Sequence, residues 1–357
     1  MNIALLTSWP LDVTIGSGVV RMVQGMRQGL EELGATVRVF HSGFYPKSLL
    51  NLAVERLRFN RRLGSFSWDA FDAVLGFDFD GFRIGDRYNA KYFVYNGGTL
   101  KDILPFERGK TKTILECLSY REKQAMEKAR LVFAPSDYSM DKISELYQIP
   151  RTKVRRLPLG LTPEEWDSLP RAAESTRKPI ILCVAKQYAR KGIPDLIRAF
   201  KTVSRRLPDA DLQVVGDGPT GAQNRALVKR LGLERRVHFA SDVANRDRLS
   251  AFYRQARVFC LPSYHETFGL VFLEAMLHRL PVVAYRATAV PEVVAPQAGA
   301  LCPPGDVNCL SRQLIHFLTD REANRKAGNA GRKQALAFTW QRSAALFVEN
   351  LKAVGVL

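Results

Sequence analysis

Short runs of β-branched and apolar residues alternate with amphipathic helical stretches along nearly the whole 357-residue chain. This alternation restricts the fold more than any other feature. The run Ile180-Ile181-Leu182-Cys183-Val184-Ala185 is apolar at every position, which suits a strand covered on both faces of a parallel sheet. Similar runs predict strands over 3–8, 36–40, 73–77, 91–96 and 131–135 in the first half. In the second half they predict strands over 180–185, 212–216, 237–240, 258–261 and 281–285. Helical periodicity separates them, as over 19–33 and 194–207. Repeated βα units of this kind imply doubly wound α/β architecture.

One break interrupts the pattern. Residues 157–179 hold Pro158, Gly160, Pro163, Pro170 and Pro179, with a polar run over 171–178, and read as an interdomain linker. The expected domains are 1–157 and 158–339, with a last helix over 340–357 that Thr339 is placed to cap. The length suffices for two cores. No stretch approaches the ~20 apolar residues that span a bilayer. The opening Met1-Asn2-Ile3-Ala4-Leu5-Leu6-Thr7 reads as a strand rather than a secretion signal, so a cytoplasmic location is expected. Cys117, Cys183, Cys260, Cys302 and Cys309 form no CxxC pair, and reduced thiols are expected rather than a disulfide or zinc framework. The five histidines show no ligand spacing either, and no metal site is expected.

Charge is uneven. Residues 176–357 carry 28 basic and 14 acidic residues, a net of +14 out of +18 for the chain. Such a surplus attracts phosphorylated ligands, an anionic membrane or nucleic acid. No nucleic-acid recognition motif or stacking pattern accompanies it, so nucleic acid is not an expected partner. The segment 47–62, KSLLNLAVERLRFNRR, mixes leucines with Arg56, Arg58, Arg61 and Arg62. It fits either a helix lying on an anionic membrane or one packed by its apolar face on its own domain.

The densest chemistry lies in PSYHETFGLVFLEAMLHRLP, from Pro262 to Pro281. A strand enters, a Phe268-Gly269-Leu270 turn follows, and a helix begins near Gly269. Helix N-terminal amides attract phosphate. Glu274 lies about one and a half turns further along, at ribose distance from such a phosphate, and Glu266 lies in the loop before the helix. The pair suggests a sugar nucleotide held at both ends. Alone, two such carboxylates also suit a glycosidase.

Other candidates sit at strand ends, where open α/β sheets bind ligands. Lys186, Arg190 and Lys191 follow the strand over 180–185, and Gly216-Asp217-Gly218 follows that over 212–216. Gly16-Ser17-Gly18 follows the first strand. Arg21 stands where a dinucleotide fingerprint needs glycine, and Phe40-His41-Ser42 supplies no acidic ribose ligand, which argues against NAD. Asp78-Phe79-Asp80 and Asp209-Ala210-Asp211 are DxD sequences of a kind able to hold a metal. Asp209 and Asp211 fall at the wrong sheet edge. Asp78 falls at the right one, which makes it an acceptor-side candidate.

With these residues in view, the chain resembles the GT-B glycosyltransferases of family 4, retaining enzymes that use nucleotide-sugar donors. The likeness is dense over 131–292 and thinner before 91. It rests on PSYHETFGLVFLEAMLHRLPVVA, on Val215-Gly216-Asp217-Gly218-Pro219, on Ala185-Lys186 with Lys191-Gly192, on Ala129 to Ser136 and on Leu159-Gly160-Leu161-Thr162. The resemblance implies two Rossmann-like domains facing across a cleft, with the last helix crossing back to the first domain. It implies catalytic roles for Lys186, Lys191 and Glu266. On the resemblance, donor binding falls to Phe268, Gly269, Leu270 and Glu274, and the acceptor side to the Asn96 position; Gly16, Gly18 and Gly216 join the donor set, and Asp78 the acceptor side, by their places at strand ends. Three departures stand out. Asn96 replaces a histidine common in relatives, Lys186 replaces an arginine, and Thr288-Ala289 replaces a glycine pair.

The expected reaction is same-face attack by an acceptor hydroxyl, with the departing phosphate oxygen as base and no metal. The acceptor expected is a lipid-linked or cell-envelope glycan, or another hydroxyl compound. A sugar phosphorylase or nucleotide-sugar epimerase of the same fold is the alternative, followed by a basic nucleic-acid-binding protein.

Overall fold

The computed structural model describes residues 1–12, 18–45, 48–166, 178–241 and 246–357. These divide into two compact units, Met1–Gly160 with Thr339–Leu357, and Leu161–Phe338.

The first unit holds β1 (Asn2–Thr7), β2 (Thr36–His41), β3 (Ala73–Phe77), β4 (Tyr92–Tyr95), β5 (Val132–Ala134) and β6 (Val154–Arg156). They form one sheet in the order β2-β1-β3-β4-β5-β6, parallel at every pairing. β3 and β4 are buried at each position, which explains their unbroken apolar sequence. The strand order reverses direction between β1 and β3, and the chain ends that diverge there leave a crevice at the carboxyl edge.

The second unit repeats the plan with β7 (Ile180–Val184), β8 (Asp211–Val215), β9 (Val237–Ala240), β10 (Val258–Leu261), β11 (Val282–Tyr285) and β12 (Gly299–Cys302). Its order is β12-β11-β10-β7-β8-β9, again all parallel. The reversal falls between β7 and β10.

β6 and β12 were not expected. Both are edge strands, half-buried over most of their length. Val-Arg-Arg and Gly-Ala-Leu-Cys therefore lack the apolar runs that mark the central strands.

The helix Trp340–Ala353 packs on the first unit. Thr339 caps it by accepting from the Arg342 amide at 3.2 Å. Phe347 meets Phe93 and Phe133 with ring centroids 6.1 and 5.2 Å away. Helix Gly18–Glu32 lies so close that a Cβ on Gly25 would stand 2.1 Å from the Trp340 ring, so this crossing requires glycine.

The expectation of reduced thiols fails at one pair. Cys302 at the end of β12 and Cys309 in helix Val307–Thr319 form a disulfide, with Cα atoms 5.8 Å apart. Because no apolar run marks β12, nothing in the residue pattern announces the tight return that brings them together. Cys183 and Cys260 are buried and free, and Cys117 is exposed and free. Among the described residues no helix is long and apolar enough to cross a membrane.

Candidate active site

The crevice of the second unit lies where β7 and β10 diverge, and their following loops meet there. The Tyr264 amide donates to the Arg190 carbonyl at 2.8 Å. Gly192, at φ +65°, comes so close to the β10 loop that a Cβ would stand 2.0 Å from the Pro262 carbonyl oxygen. Only glycine accepts both the backbone angle and the contact. That approach carries Lys191 across to Glu266. Lys191 Nζ lies 2.6 Å from Glu266 Oε1, with side chains 16% and 9% exposed. Ser263 donates its hydroxyl to the same Oε1 at 2.9 Å. Thr288 clamps the Glu266 backbone, its Oγ1 accepting from the amide at 2.9 Å and donating to the carbonyl at 2.8 Å. Thr288 thus does with a side chain what a glycine pair does not, which gives that departure a structural account.

Lys186 stands exposed just beyond β7, and partial burial of its ammonium lowers its pKa from the ordinary lysine value. Gly216 follows β8, its amide donating to the Ala240 carbonyl at 2.8 Å and its carbonyl accepting from Gln187 Nε2 at 2.7 Å. Phe268 turns its ring inward, edge-on to Phe338 at 5.7 Å, so only its backbone remains for a ligand. Gly269 caps helix Leu270–Leu277 at φ +92°. The first-turn amides of such a helix lack intrahelical acceptors.

Glu274 sits in that helix, fully buried. Tyr253 donates its hydroxyl to Glu274 Oε2 at 2.8 Å, and the Tyr253 ring stacks on His278 at 5.0 Å. His278 in turn engages Ser250 at 3.0 Å and the Glu274 carbonyl oxygen at 2.7 Å. These groups fix one carboxylate oxygen and the helix that carries it.

The first unit has its own polar cluster at the exit of β1 and β3. Asp78, at φ +59°, pairs with Arg56 Nη2 at 3.2 Å. Asp80 accepts from the Ser8 amide at 2.6 Å, the Ser8 hydroxyl at 2.8 Å and Asn60 Nδ2 at 2.8 Å. Arg56 also donates to the Ser8 hydroxyl at 2.8 Å, and its guanidinium lies 3.8 Å from the Phe79 ring centroid. Burial raises both carboxyls above the ordinary range, and Arg56 opposes that shift. The DxD pair is thus tied up by an arginine, a serine and an asparagine. Among the described residues no group of metal-ligating side chains is assembled.

Asn96 follows β4 and is fully buried. It donates through Nδ2 to Glu122 Oε1 at 2.7 Å and accepts from the Thr99 hydroxyl at 3.1 Å. Of the glycines expected to approach a ligand, Gly18 opens helix Gly18–Glu32, and Gly16 lies outside the described residues.

Several participants escaped the sequence reading. Arg56 stands in a segment with Arg58, Arg61 and Arg62, which are exposed while it is buried. It lies at helical spacing from Leu52, Phe59 and Leu63, all buried, and that spacing was the available signal. Glu122 likewise shares a face with Leu115, Leu118, Ala125 and Met126. Tyr253 carried no signal beyond an apolar position next to Leu249 on helix Arg246–Gln255.

Comparison with known proteins agrees with this geometry. The sequence model of the family described as "Glycosyl transferases group 1" matches residues 165–334. The chain is 34% identical over 172 residues to an MMP alpha-(1->4)-mannosyltransferase of Mycolicibacterium hassiacum, covering 47% of this chain and 41% of that protein. It is 28% identical to a GDP-mannose-dependent phosphatidylinositol monomannoside mannosyltransferase of Mycolicibacterium smegmatis, covering 62% of each. The chain therefore spans about half the length of the curated relatives it matches. In three dimensions it resembles a sucrose-phosphate synthase from Thermosynechococcus elongatus with TM-score 0.78 at 21% identity, covering 99% of this chain and 98% of that one. An Anabaena protein solved with UDP and glucose gives TM-score 0.72 at 19% identity, covering 99% and 100%. The fold is GT-B, and residues 165–334 match the sequence model of the group 1 glycosyl transferases.

Proposed function

We propose that this chain is a retaining glycosyltransferase that moves a sugar from a nucleotide diphosphate sugar to a hydroxyl acceptor. The observation that carries the reading is the Lys191–Glu266 pair, held 2.6 Å apart at the strand reversal beside a helix N-terminus. The cation and the helix end suit a diphosphate, and the carboxylate suits sugar hydroxyls. Lys186 and Lys191 stabilise the leaving diphosphate, Glu266 orients the transferred sugar, and Glu274 takes the ribose. The bond between the anomeric carbon and the phosphate oxygen breaks. The acceptor oxygen bonds to that carbon on the same face, and its proton passes to the departing phosphate. The lysines supply the positive charge, so no divalent metal enters the scheme. The GDP-mannose dependence of the Mycolicibacterium smegmatis relative, and the UDP held by the Anabaena protein of like fold, support a donor of the GDP-mannose or UDP-sugar type.

A thermal-shift panel of UDP, GDP, ADP and CDP sugars tests the reading, because a ligand bound only by the folded chain raises its melting temperature. Stabilisation by one donor series is expected. If none stabilises the protein, the proposal fails.

The acceptor in this reading is a lipid-linked or cell-envelope glycan, taken up by a cytoplasmic protein peripheral to an anionic membrane. The outward face of helix Leu49–Leu63 supports this. It exposes Leu50, Val54 and Leu57 by 60%, 38% and 39%, beside exposed Arg58, Arg61 and Arg62. Its acid, Glu55, is buried and paired with Arg62 at 2.9 Å. Lys47 lies outside the described residues. Apolar side chains among arginines fit a surface of lipid headgroups and acyl chains. Co-sedimentation with phosphatidylglycerol vesicles, lost on pure phosphatidylcholine and on Leu50→Ser/Leu57→Ser, is the expected result. Equal recovery with both vesicle types overturns the membrane assignment and leaves the transferase assignment standing.

A further inference from the structure

The loop that follows β4 is tied down at both ends by one buried carboxylate. Glu122, fully buried in helix Gly109–Lys128, accepts from Asn96 Nδ2 at 2.7 Å through Oε1. Its Oε2 accepts from the Leu100 amide at 2.9 Å and from the Tyr147 hydroxyl. Asn96 is the last residue before the loop, and Leu100 is the first of the short helix that ends it. Between them stand Gly97 and Gly98. A Cβ on Gly98 would meet nothing within 4 Å, so the middle of the loop is open. Gly97 directs its backbone N–H at Asp78. The loop therefore lies beside Asp78 at the carboxyl edge of the sheet, where open α/β sheets bind ligands.

We propose that Glu122 is a positioning residue whose ionised carboxylate holds the loop 96–100 in place at the acceptor edge of the first unit. The word acceptor rests on the proposed transferase reading. The tethering itself does not.

Burial pushes the Glu122 carboxyl up to about 7. That value already includes a smaller upward push from the neighbouring Asp78 and the opposing effect of the three donors. Ionised, Glu122 receives all three donors. Protonated, one of its oxygens becomes a donor itself, and one of the three loses its acceptor. The groups that face it from surrounding elements are Asp78 after β3, with Arg56 behind it, and Tyr147 of helix Asp137–Tyr147. Lys101 stands with its ammonium 4.9 Å from the Tyr147 ring centroid, and its amide donates to the Tyr147 hydroxyl at 3.2 Å. Tyr147 is itself held far above the ordinary phenol range by burial and by Glu122, so it stays a donor at neutral pH. Glu122 is thus the group whose proton sets the pattern.

Hydrogen exchange of the intact chain, read by mass spectrometry at pH 6 and pH 8 and corrected for intrinsic rates, tests this. The peptide covering 96–104 is expected to exchange about tenfold faster at pH 6 than at pH 8. In Glu122→Gln it is expected to exchange fast at both, while peptides of the second unit do not change. Equal corrected rates in the wild-type loop overturn the proposal. So does Glu122→Gln with wild-type protection, or with its pH dependence intact, which would assign the proton to Asp78. If Glu122→Gln does not fold, Tyr147→Phe serves. It keeps the carboxylate and removes a donor that lowers its pKa, so the loop transition is expected at higher pH; an unmoved transition overturns the assignment. Exchange is read without donor or acceptor, so absent glycosyl transfer leaves this result intact, and a rigid loop leaves the transferase reading intact.

Discussion

Lys191 and Glu266, 75 residues apart in sequence, form a nearly buried ion pair, Nζ to Oε1 at 2.6 Å. The ammonium that would meet a leaving diphosphate is already oriented by the carboxylate that would meet the sugar. The two single variants should therefore part company. Lys191→Ala is expected to lower kcat by about 10²- to 10³-fold and to weaken binding of the nucleoside diphosphate product. Glu266→Gln is expected to lower kcat similarly while the product binds as well or better, because Lys191 is released to it. Titration calorimetry with the diphosphate distinguishes these outcomes. Parallel losses of product affinity in both variants contradict the division of roles.

Tyr253 reaches Glu274 from helix Arg246–Gln255 and fixes one carboxylate oxygen. Tyr253→Phe keeps the ring on His278 and removes only the hydroxyl. A stability loss of about 1 kcal/mol is expected for the missing hydrogen bond. Donor KM should rise about fivefold with kcat little changed, since the ribose contact proposed for Glu274 would be a binding interaction rather than a transition-state one. Steady-state kinetics on the stabilising donor and urea unfolding measure the two effects.

Arg56 is the counter-charge for Asp80, which is buried, and for Asp78, which is half-buried. Arg56→Ala leaves two carboxylates without it and is expected to cost about 3–5 kcal/mol. Arg56→Lys keeps the charge but not the planar fork that reaches Ser8 as well, and about half that loss is expected. Unfolding in urea gives both numbers. If Arg56→Ala is neutral, the cluster is not held as an ion-paired unit.

Glu122 gives the fold a specific pH dependence. Its carboxyl stands at about 7 instead of 4.5, so folding favours the protonated form. That stabilisation is complete below pH 4.5 and is lost as pH rises through 7, a change of about 3 kcal/mol. Wild-type stability against urea should fall between pH 5 and pH 8 by about that much more than the stability of Glu122→Gln. Global stability and order in the loop 96–100 then move in opposite directions with pH, a combination that a general acid- or base-induced loosening does not produce.

The fold was legible because its central strands are buried on both faces and so must be apolar throughout. β3, β4 and β10 announce themselves in this way. Two of the four edges did not, since β6 carries two arginines and β12 is mostly half-exposed. With β12 went the Cys302–Cys309 disulfide. The second unit's site was legible for a related reason. Its expected groups lie within three strand-end loops and one helix, so local spacing carries them. In the first unit, Ser8, Arg56, Asp80 and Glu122 come from separate elements, and only the topology places them near Asp78 and Asn96. Asn96 was legible as a position but not as a contact, since its side chain turns inward to Glu122 and Thr99.

Helix Trp340–Ala353 belongs to the first unit although it follows the second in sequence, so the first unit is discontinuous and the second is not. This sets an order of events during synthesis. The ribosome delivers all of residues 161–338 before the helix that covers Phe93, Phe133 and Gly25 exists. The second unit is able to fold as it emerges, while the first waits with an uncovered apolar face until the last turns leave the exit tunnel. Truncations that remove residues 339–357 should therefore damage the half of the protein made first.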